Sequence, residues 1–430
     1  MLSTALAGSV ADAVELVWIE TLAARAVAGG RRGARPSRQP RRRLLLEVRV
    51  QEGSRTGFHR SGATSAGELM AALRIALGQS RLALPGPPLR LAPATSTAAA
   101  TTGLHDPDVA DLDGERAHGI LAGGLGEDDR LVLDWSEVRL AVVNSRGLAR
   151  AVEATAVTLA ASHGRAPGIG RATGSARSLA ALGAATVAAR ARRRATPEGS
   201  VEAPPAAAVP VVLAAEASAA LVAFLAAHAL SSRSFLEAGS PFAGHLGEPV
   251  AHPGLTLVDD GNDPSGLPFP CDLSGFPRER VVMVEAGVPR TPAIDEALST
   301  VLRRPPTHHA SSLEEARPEH LFLVAGKTRP DELAAAADGG LWIGELSQLR
   351  LLGPSGGAVG GLARNVRRLI AGAPAAPLPD LLWQTDLSAL LRGPLAVGDD
   401  PVALATPDGI GAASAPSLAL PAVGSFRAAG

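Results

Sequence analysis

Beyond residue 210 the apolar residues come in short runs: Leu-Thr-Leu-Val at 255–258, Val-Val-Met-Val at 281–284, Leu-Phe-Leu-Val at 321–324 and Leu-Arg-Leu-Leu at 349–352. Gly, Pro and Asp turns separate them. Runs of four bounded by breakers suit strands and are too short for helices, so this half is expected to be an antiparallel, β-rich domain. Helical patterns interrupt it at 214–228, 329–338 and 363–370. The longest apolar stretch, 206–230, is broken by Pro210, Glu216, Ser218 and His228, whereas a membrane span needs about 20 mostly apolar residues. It reads as a buried strand followed by a helix.

The first half is patterned differently. Residues 13–28 and 44–58 alternate as strands do, most clearly where Leu46, Val48 and Val50 interleave with Glu47, Arg49 and Gln51. Between them, seven arginines and no acid lie from Arg31 to Arg43. Gly and Pro punctuate this segment and no aromatic interleaves it, which favours a solvated hairpin loop over a nucleic-acid patch. Ser65 followed by Glu68 opens a helix over 65–79, residues 82–106 read as irregular, and 138–143 and 148–161 form a hairpin around Asn144-Ser145-Arg146-Gly147. An Ala-rich helix is expected over 176–194. The chain is therefore expected to be α+β: an α/β domain at 1–195, a linker at 196–210 and a β-rich domain at 211–430.

Of the 430 residues, 46% are hydrophobic and 19% charged, with a formal net charge of -1. That excludes a fibrous or wholly disordered chain and offers no global field for nucleic acid or an anionic membrane. Aromatics are 3%, with no tyrosine, too few for base-stacking platforms. The single cysteine, Cys271, rules out an intramolecular disulfide and a Cys-rich zinc module. Asp12 and Glu15 interrupt any apolar export signal, so a cytoplasmic location is expected. Lys327 is the only lysine, and the arginine excess reads as coding bias.

Several residues invite a functional reading. His245, His252 and Cys271 would make a metal site, but their spacing matches no recurring ligand pattern. His308 and His309 point in opposite directions if extended and then cannot chelate together. Asp259 and Asp260 precede Gly261-Asn262-Asp263-Pro264 and read as turn chemistry. Ser145 lacks a nucleophile elbow, Cys271 adjoins no thiol-protease motif, and the glycines of 353–361 lack a phosphate-loop ending and read as a turn insert.

From Val209 onward the chain resembles the TldD/PmbA family, metallopeptidase-related proteins also called modulators of DNA gyrase. The residues that carry the resemblance are the string 209–230, Ser240-Pro241-Phe242, GHLGEPV at 244–250, LTLVDDG at 255–261, ERVVMVEAGV at 279–288, LFLVAGKTRPDEL at 321–333 and PSLAL at 416–420, with VVNSRGL at 142–148 upstream. The resemblance implies an N-terminal α/β domain joined to a C-terminal β-rich one. Active TldD-type members carry HExxxH on one helix, where two His bind zinc and Glu polarises water. In the register set by Glu216, Ala223 and Phe224 stand at the first His and the Glu, and His228 remains as a vestigial ligand. The family's further ligand, a Cys near the C-terminus, has no counterpart after Cys271. The resemblance thus implies a TldE (PmbA)-type subunit without its own zinc or catalytic residues. Such a subunit pairs with a zinc-bearing TldD-type partner in proteolysis of peptides or unfolded segments. The alternatives are an autonomous metallopeptidase with a relocated site around His245, His252 and Cys271, or a non-catalytic homomeric binding protein. No membrane or nucleic-acid partner is expected.

Overall fold

A computed structural model describes residues 11–29, 35–62, 65–97, 103–165, 168–196, 201–353, 357–393, 396–422 and 424–429. The first half builds one antiparallel sheet from β1 (Ala13–Gly29), β2 (Arg35–Glu52), β3 (Arg55–Ser61), β4 (Asp129–Asn144), β5 (Ala149–His163) and β6 (Gly170–Ala176), in the order β3-β2-β1-β4-β5-β6. Its alternation sorts side chains to two faces. Leu16, Leu46, Val48 and Val50 pack under helix α1 (Ala66–Leu82). Farther along the same face, Leu131, Leu133 and Leu159 lie under α2 (Pro107–Ala110), α3 (Gly114–Gly123) and α4 (Ala184–Arg193). The opposite face presents Val17, Ile19, Leu140 and Val142 to Phe269, Cys271, Leu273 and Ile410 of the second half.

α1 starts where the sequence predicts. The Ser65 hydroxyl accepts the Glu68 backbone N–H and the Glu68 carboxylate accepts that of Ser65. The helix lies so close to β3 that a Cβ on Gly57 would fall 1.9 Å from the Ala76 carbonyl oxygen and 2.5 Å from the Ser80 nitrogen. Neither atom belongs to a movable side chain, so the helix would have to shift. Gly57→Ala is expected to cost about 2 kcal/mol in a urea titration; an unchanged midpoint would show that α1 slides freely.

The structure corrects three expectations here. The Arg-rich segment is a strand arm: β2 already runs from Arg35, and Arg41, Arg42 and Arg43 pair with Ala23, Leu22 and Thr21 of the long strand β1. Residues 30–34 lie outside the described residues. The helix expected over 176–194 begins only at Ala184, because Ala176 closes β6 and Gly183 turns the chain with φ 59°. The single strand expected over 44–58 breaks at a turn at residues 53–54, so that its last residues open β3, which folds back antiparallel on β2; helices α2 and α3 are additions.

The second half holds two larger sheets. One orders Val288–Pro289, Val281–Glu285, Leu257–Asp259, His320–Leu323, Ala412–Ala415 and Val402–Ala405. The other orders Ala396–Val397, Leu418–Leu420, β7 (Val211–Leu213), Leu341–Leu351, Ala358–Ile370, Leu381–Asp386 and Ser425–Ala428, with Ala373–Pro377 beside Ala358–Ile370. Pairing is antiparallel except between His320–Leu323 and Ala412–Ala415 and between β7 and Leu341–Leu351, which are parallel. The β-rich expectation holds, with two corrections inside Ala358–Ile370. Residues 363–370 are strand, not helix, since the backbone of Leu341–Leu351 pairs them. The glycines at 360 and 361 belong to the same strand, where they make room for Leu352 and Leu349.

Helix α5 (Ala215–His228) packs against strands of both large sheets. That position explains its composition, since a helix covered on nearly every side has no polar face to show. Its one internal acid, Glu216, is 5% exposed and accepts Arg194 at 2.9 Å and Arg190 at 3.2 Å, tying α4 to α5. Two further guanidiniums join the halves. Arg177 donates to the carbonyls of Thr155, Leu267, Pro268, Gly409 and Ile410. Arg367 reaches Thr196 Oγ1 and the carbonyls of Gly168, Ile169 and Arg194. The arginine excess is therefore partly chemistry, against the reading of coding bias.

Candidate functional site

The C-terminal end of α5 is where the sequence places the vestigial motif. Ala223 is exposed and Phe224 is buried, its ring 4.5 Å from the half-buried His228 ring and tilted by 40°. Burial depresses the His228 pKa, with the charges of Glu315 and Arg317 acting on it in opposite senses. A methyl group and a phenyl ring carry no ligand atom and accept no proton, so this helix offers zinc one imidazole where a catalytic site uses three protein ligands. The residues present do not fit the metal.

Beyond His228 the chain turns into α6 (Ser232–Leu236), where the Ser232 hydroxyl accepts the Ala316 backbone N–H at 3.1 Å. This contact sets residues 311–317 opposite the inner face of the N-terminal sheet. A cleft of about 580 Å³ lies between them, with Thr21, Arg41, Arg43 and Arg60 on the sheet side and Arg233, Glu315 and Arg317 opposite. A second cavity, of about 320 Å³, is bordered by Arg49, Arg90, Phe276, Glu296 and His308.

The other candidates separate. His245 meets Glu248 at 2.8 Å on the surface, and His252 accepts the Gly254 N–H at 3.0 Å. Cys271 is buried, its thiol pushed up to about 12 by burial, so it is no nucleophile at neutral pH. Among the described residues, these three do not meet as a ligand set; the one group close enough to hold an ion is His105, from the segment before α2, with Glu137 and Glu153 of the N-terminal sheet, where Arg139 pairs with Glu137 at 2.9 Å. Ser145 sits in its hairpin turn and accepts the Val14 N–H.

Two expectations are corrected. His308 has φ 57°, so the histidine pair is not extended; His308 stacks on Phe276 at 4.4 Å, while His309 turns inward. Asp260 caps the Asn262 N–H, as turn chemistry requires, but Asp259 does not belong to the turn. It is fully buried, with Oδ1 3.1 Å from His309 Nε2 and Oδ2 accepting the His320 backbone N–H at 2.8 Å. Burial opposes its ionisation, yet His309 and Arg278 hold the carboxyl well below the usual range. Arg278 in turn donates to Glu319 at 3.1 Å. The members of this buried network are spread from 259 to 320, and no local motif announces them.

Comparison with known proteins places this geometry. A family model described as the PmbA/TldA metallopeptidase C-terminal domain matches residues 206–424, just over half of the chain. The chain belongs to the TldD/PmbA family. Solved structures of similar fold include a Thermotoga maritima protein described as a modulator of DNA gyrase, with TM-score 0.78 and 19% identity over 96% of both chains. TldE from Thermococcus kodakarensis follows at TM-score 0.76 and 16% identity over 97% of each chain. A Bacteroides thetaiotaomicron protein, also described as a modulator of DNA gyrase, has TM-score 0.75 and 18% identity over 99% of this chain and 97% of that one. Comparison with curated proteins gives no match. These likenesses run the length of the TldD/PmbA fold, the N-terminal sheet included. Among the described residues, no helix is long and apolar enough to cross a membrane.

Proposed function

We propose that this chain is the catalytically degenerate, TldE-type subunit of a heteromeric zinc peptidase. Its TldD-type partner holds the zinc and carries out the cleavage of peptides or unfolded segments, in the cytoplasm, where a lone thiol such as Cys271 stays reduced. The observation that carries this reading is the end of α5, where His228 packs on Phe224 and Ala223 leaves the neighbouring position empty of ligand atoms. The fold shared with a protein named TldE supports it.

Purified alone, the chain is expected to hold no stoichiometric zinc and to hydrolyse no peptide. The double substitution Ala223→His and Phe224→Glu is expected to restore no activity, because no cysteine follows Cys271 to complete the ligand set. Co-expression with a TldD-type chain carrying an intact HExxxH should give co-elution on size exclusion and zinc-dependent cleavage that needs both chains. One-to-one zinc in the unmodified chain, lost in His228→Ala, would overturn the degenerate reading. Separate elution, with cleavage unaffected by omitting this chain, would overturn the heteromeric one.

A further inference from the structure

Five arginines and four acids border the cleft beside α6, and three of the arginines have no ion-pair partner among the described residues. Of its arginines, Arg60 pairs with the buried Glu47, and Arg317 lies 3.1 Å from Glu319. Arg41, Arg43 and Arg233 are exposed and make no side-chain hydrogen bond or ion pair with any described residue. Two of the acids are already engaged. Glu47 also accepts the Leu313 backbone N–H at 2.7 Å, and Asp408 accepts Thr406 Oγ1 and the Ile410 N–H in its own turn. Asp408 keeps its charge while accepting those bonds, and neither it nor Glu314 or Glu315 lies within ion-pair distance of the three unpaired guanidiniums among the described residues.

A guanidinium left unpaired in a concave site is preorganised for a carboxylate, which it binds through two parallel N–H donors. Arg41 and Arg43 are two residues apart on one strand and therefore on the same face, with Arg233 across the cleft from them. About 580 Å³ suits a short extended segment. Among the described residues no aromatic side chain borders the cleft, which leaves nothing there for a nucleobase to stack on.

We propose that this cleft binds acidic polypeptide, a segment bearing several Asp or Glu side chains, and so biases which substrates reach the partner's zinc. The inference rests on the reading of the chain as a peptidase subunit and is tested apart from it. Fluorescence anisotropy with a labelled peptide of alternating Ser and Glu, its Ser-Lys and Ser-Gly counterparts and a single-stranded DNA oligonucleotide reads the binding directly, on this chain alone and on its complex with the partner.

The acidic peptide should bind at least tenfold more tightly than the neutral one, and the triple variant Arg41→Ser, Arg43→Ser, Arg233→Ser should remove that preference. Arg42→Ser is the control, since Arg42 pairs with Glu20 on the other face of the sheet. Its effect should be under twofold. Reversing charge with Arg43→Glu and Arg233→Glu should turn the preference toward the Ser-Lys peptide; all these positions are exposed and leave the core intact. Equal binding of acidic and neutral peptides, no binding of the acidic peptide, an unaffected triple variant, or tighter binding of the oligonucleotide would each overturn the proposal. If the complex forms and cleaves acidic and neutral peptides at equal rates, this inference falls and the subunit assignment stands. If no complex forms while the acidic peptide still binds here, the reverse holds.

Discussion

Arg177→Met is expected to destabilise the protein by about 4 kcal/mol. Arg177 is 6% exposed and, among the described residues, has no carboxylate at hydrogen-bond distance. It donates to five backbone carbonyls: one from β5 of the N-terminal sheet, two from residues 267–268 and two from residues 409–410. Burial lowers its pKa to about 10, which still leaves it charged at neutral pH. Removing it takes the donor from those carbonyls, at about 1–3 kcal/mol for each one that stays buried and unpaired. Relief from burying an unpaired charge offsets part of that. Arg177→Lys should recover less than half, because three donors on one nitrogen cannot span carbonyls that the planar fork reaches from three sides. Urea unfolding of the three proteins decides it. A loss under about 1 kcal/mol, or a lysine as good as the arginine, would mean that the segments at 267–268 and 409–410 are held by apolar packing instead.

Arg177 also shows where sequence reading stops. The strands of the N-terminal sheet were legible because their pattern is local: Leu46, Val48 and Val50 alternate with polar neighbours, and Ser65 with Glu68 announces α1 by a rule spanning four residues. The strand-then-helix reading of 206–230 succeeded for a similar reason, with Pro210 before β7 and an apolar run after it. What joins the halves is not local. Arg177, Arg367 and Glu216 have ordinary neighbours in the sequence, and only folding brings their partners within reach, from tens to more than two hundred positions away. Residues 363–370 failed on another count. Their pattern fits a helix about as well as a strand, and the backbone of Leu341–Leu351 settled the matter.

The candidate site divides the same way. Ala223, Phe224 and His228 share one helix and were readable from a resemblance along it, whereas the cleft beside them takes its wall from β1 and β2, its far side from 311–317 and its edge from α6. Asp259 shows the opposite error. A pair of aspartates before Gly-Asn-Asp-Pro is a sound turn signal, and Asp260 obeys it, but the strand Leu257–Asp259 carries the first aspartate inward to His309.

That buried network contributes to the pH dependence. Below pH 6.5 the protein should lose stability faster than a His320→Leu variant, with the gap reaching about 3 kcal/mol at pH 4.5. His320 is 1% exposed, neither ring nitrogen has a partner among the described residues, and burial, reinforced by the charge of Arg278, pushes its imidazole down to about 3. In the unfolded chain it takes a proton near 6.5. Between those two values the unfolded state binds more protons than the folded one, so stability falls with falling pH by about 1.4 kcal/mol per unit. Above 6.5 the ring is neutral in both states and contributes no slope. Asp259 stays ionised across this window. Glu15 acts in the opposite sense: burial pushes it up to about 7 despite Arg49, so the folded state keeps a proton between 4.5 and 7 that the unfolded state has released, and its contribution grows as pH falls. The two groups partly cancel in the native protein, and removing the imidazole takes away the larger part of what opposes Glu15. At pH 7.5 the substitution should be near neutral, because a ring without partners loses no hydrogen bond to leucine. Chemical denaturation at pH 7.5, 6.0, 5.0 and 4.5 for both proteins measures the difference directly; parallel profiles over that range would place a proton on His320 in the folded state and refute a neutral, buried imidazole.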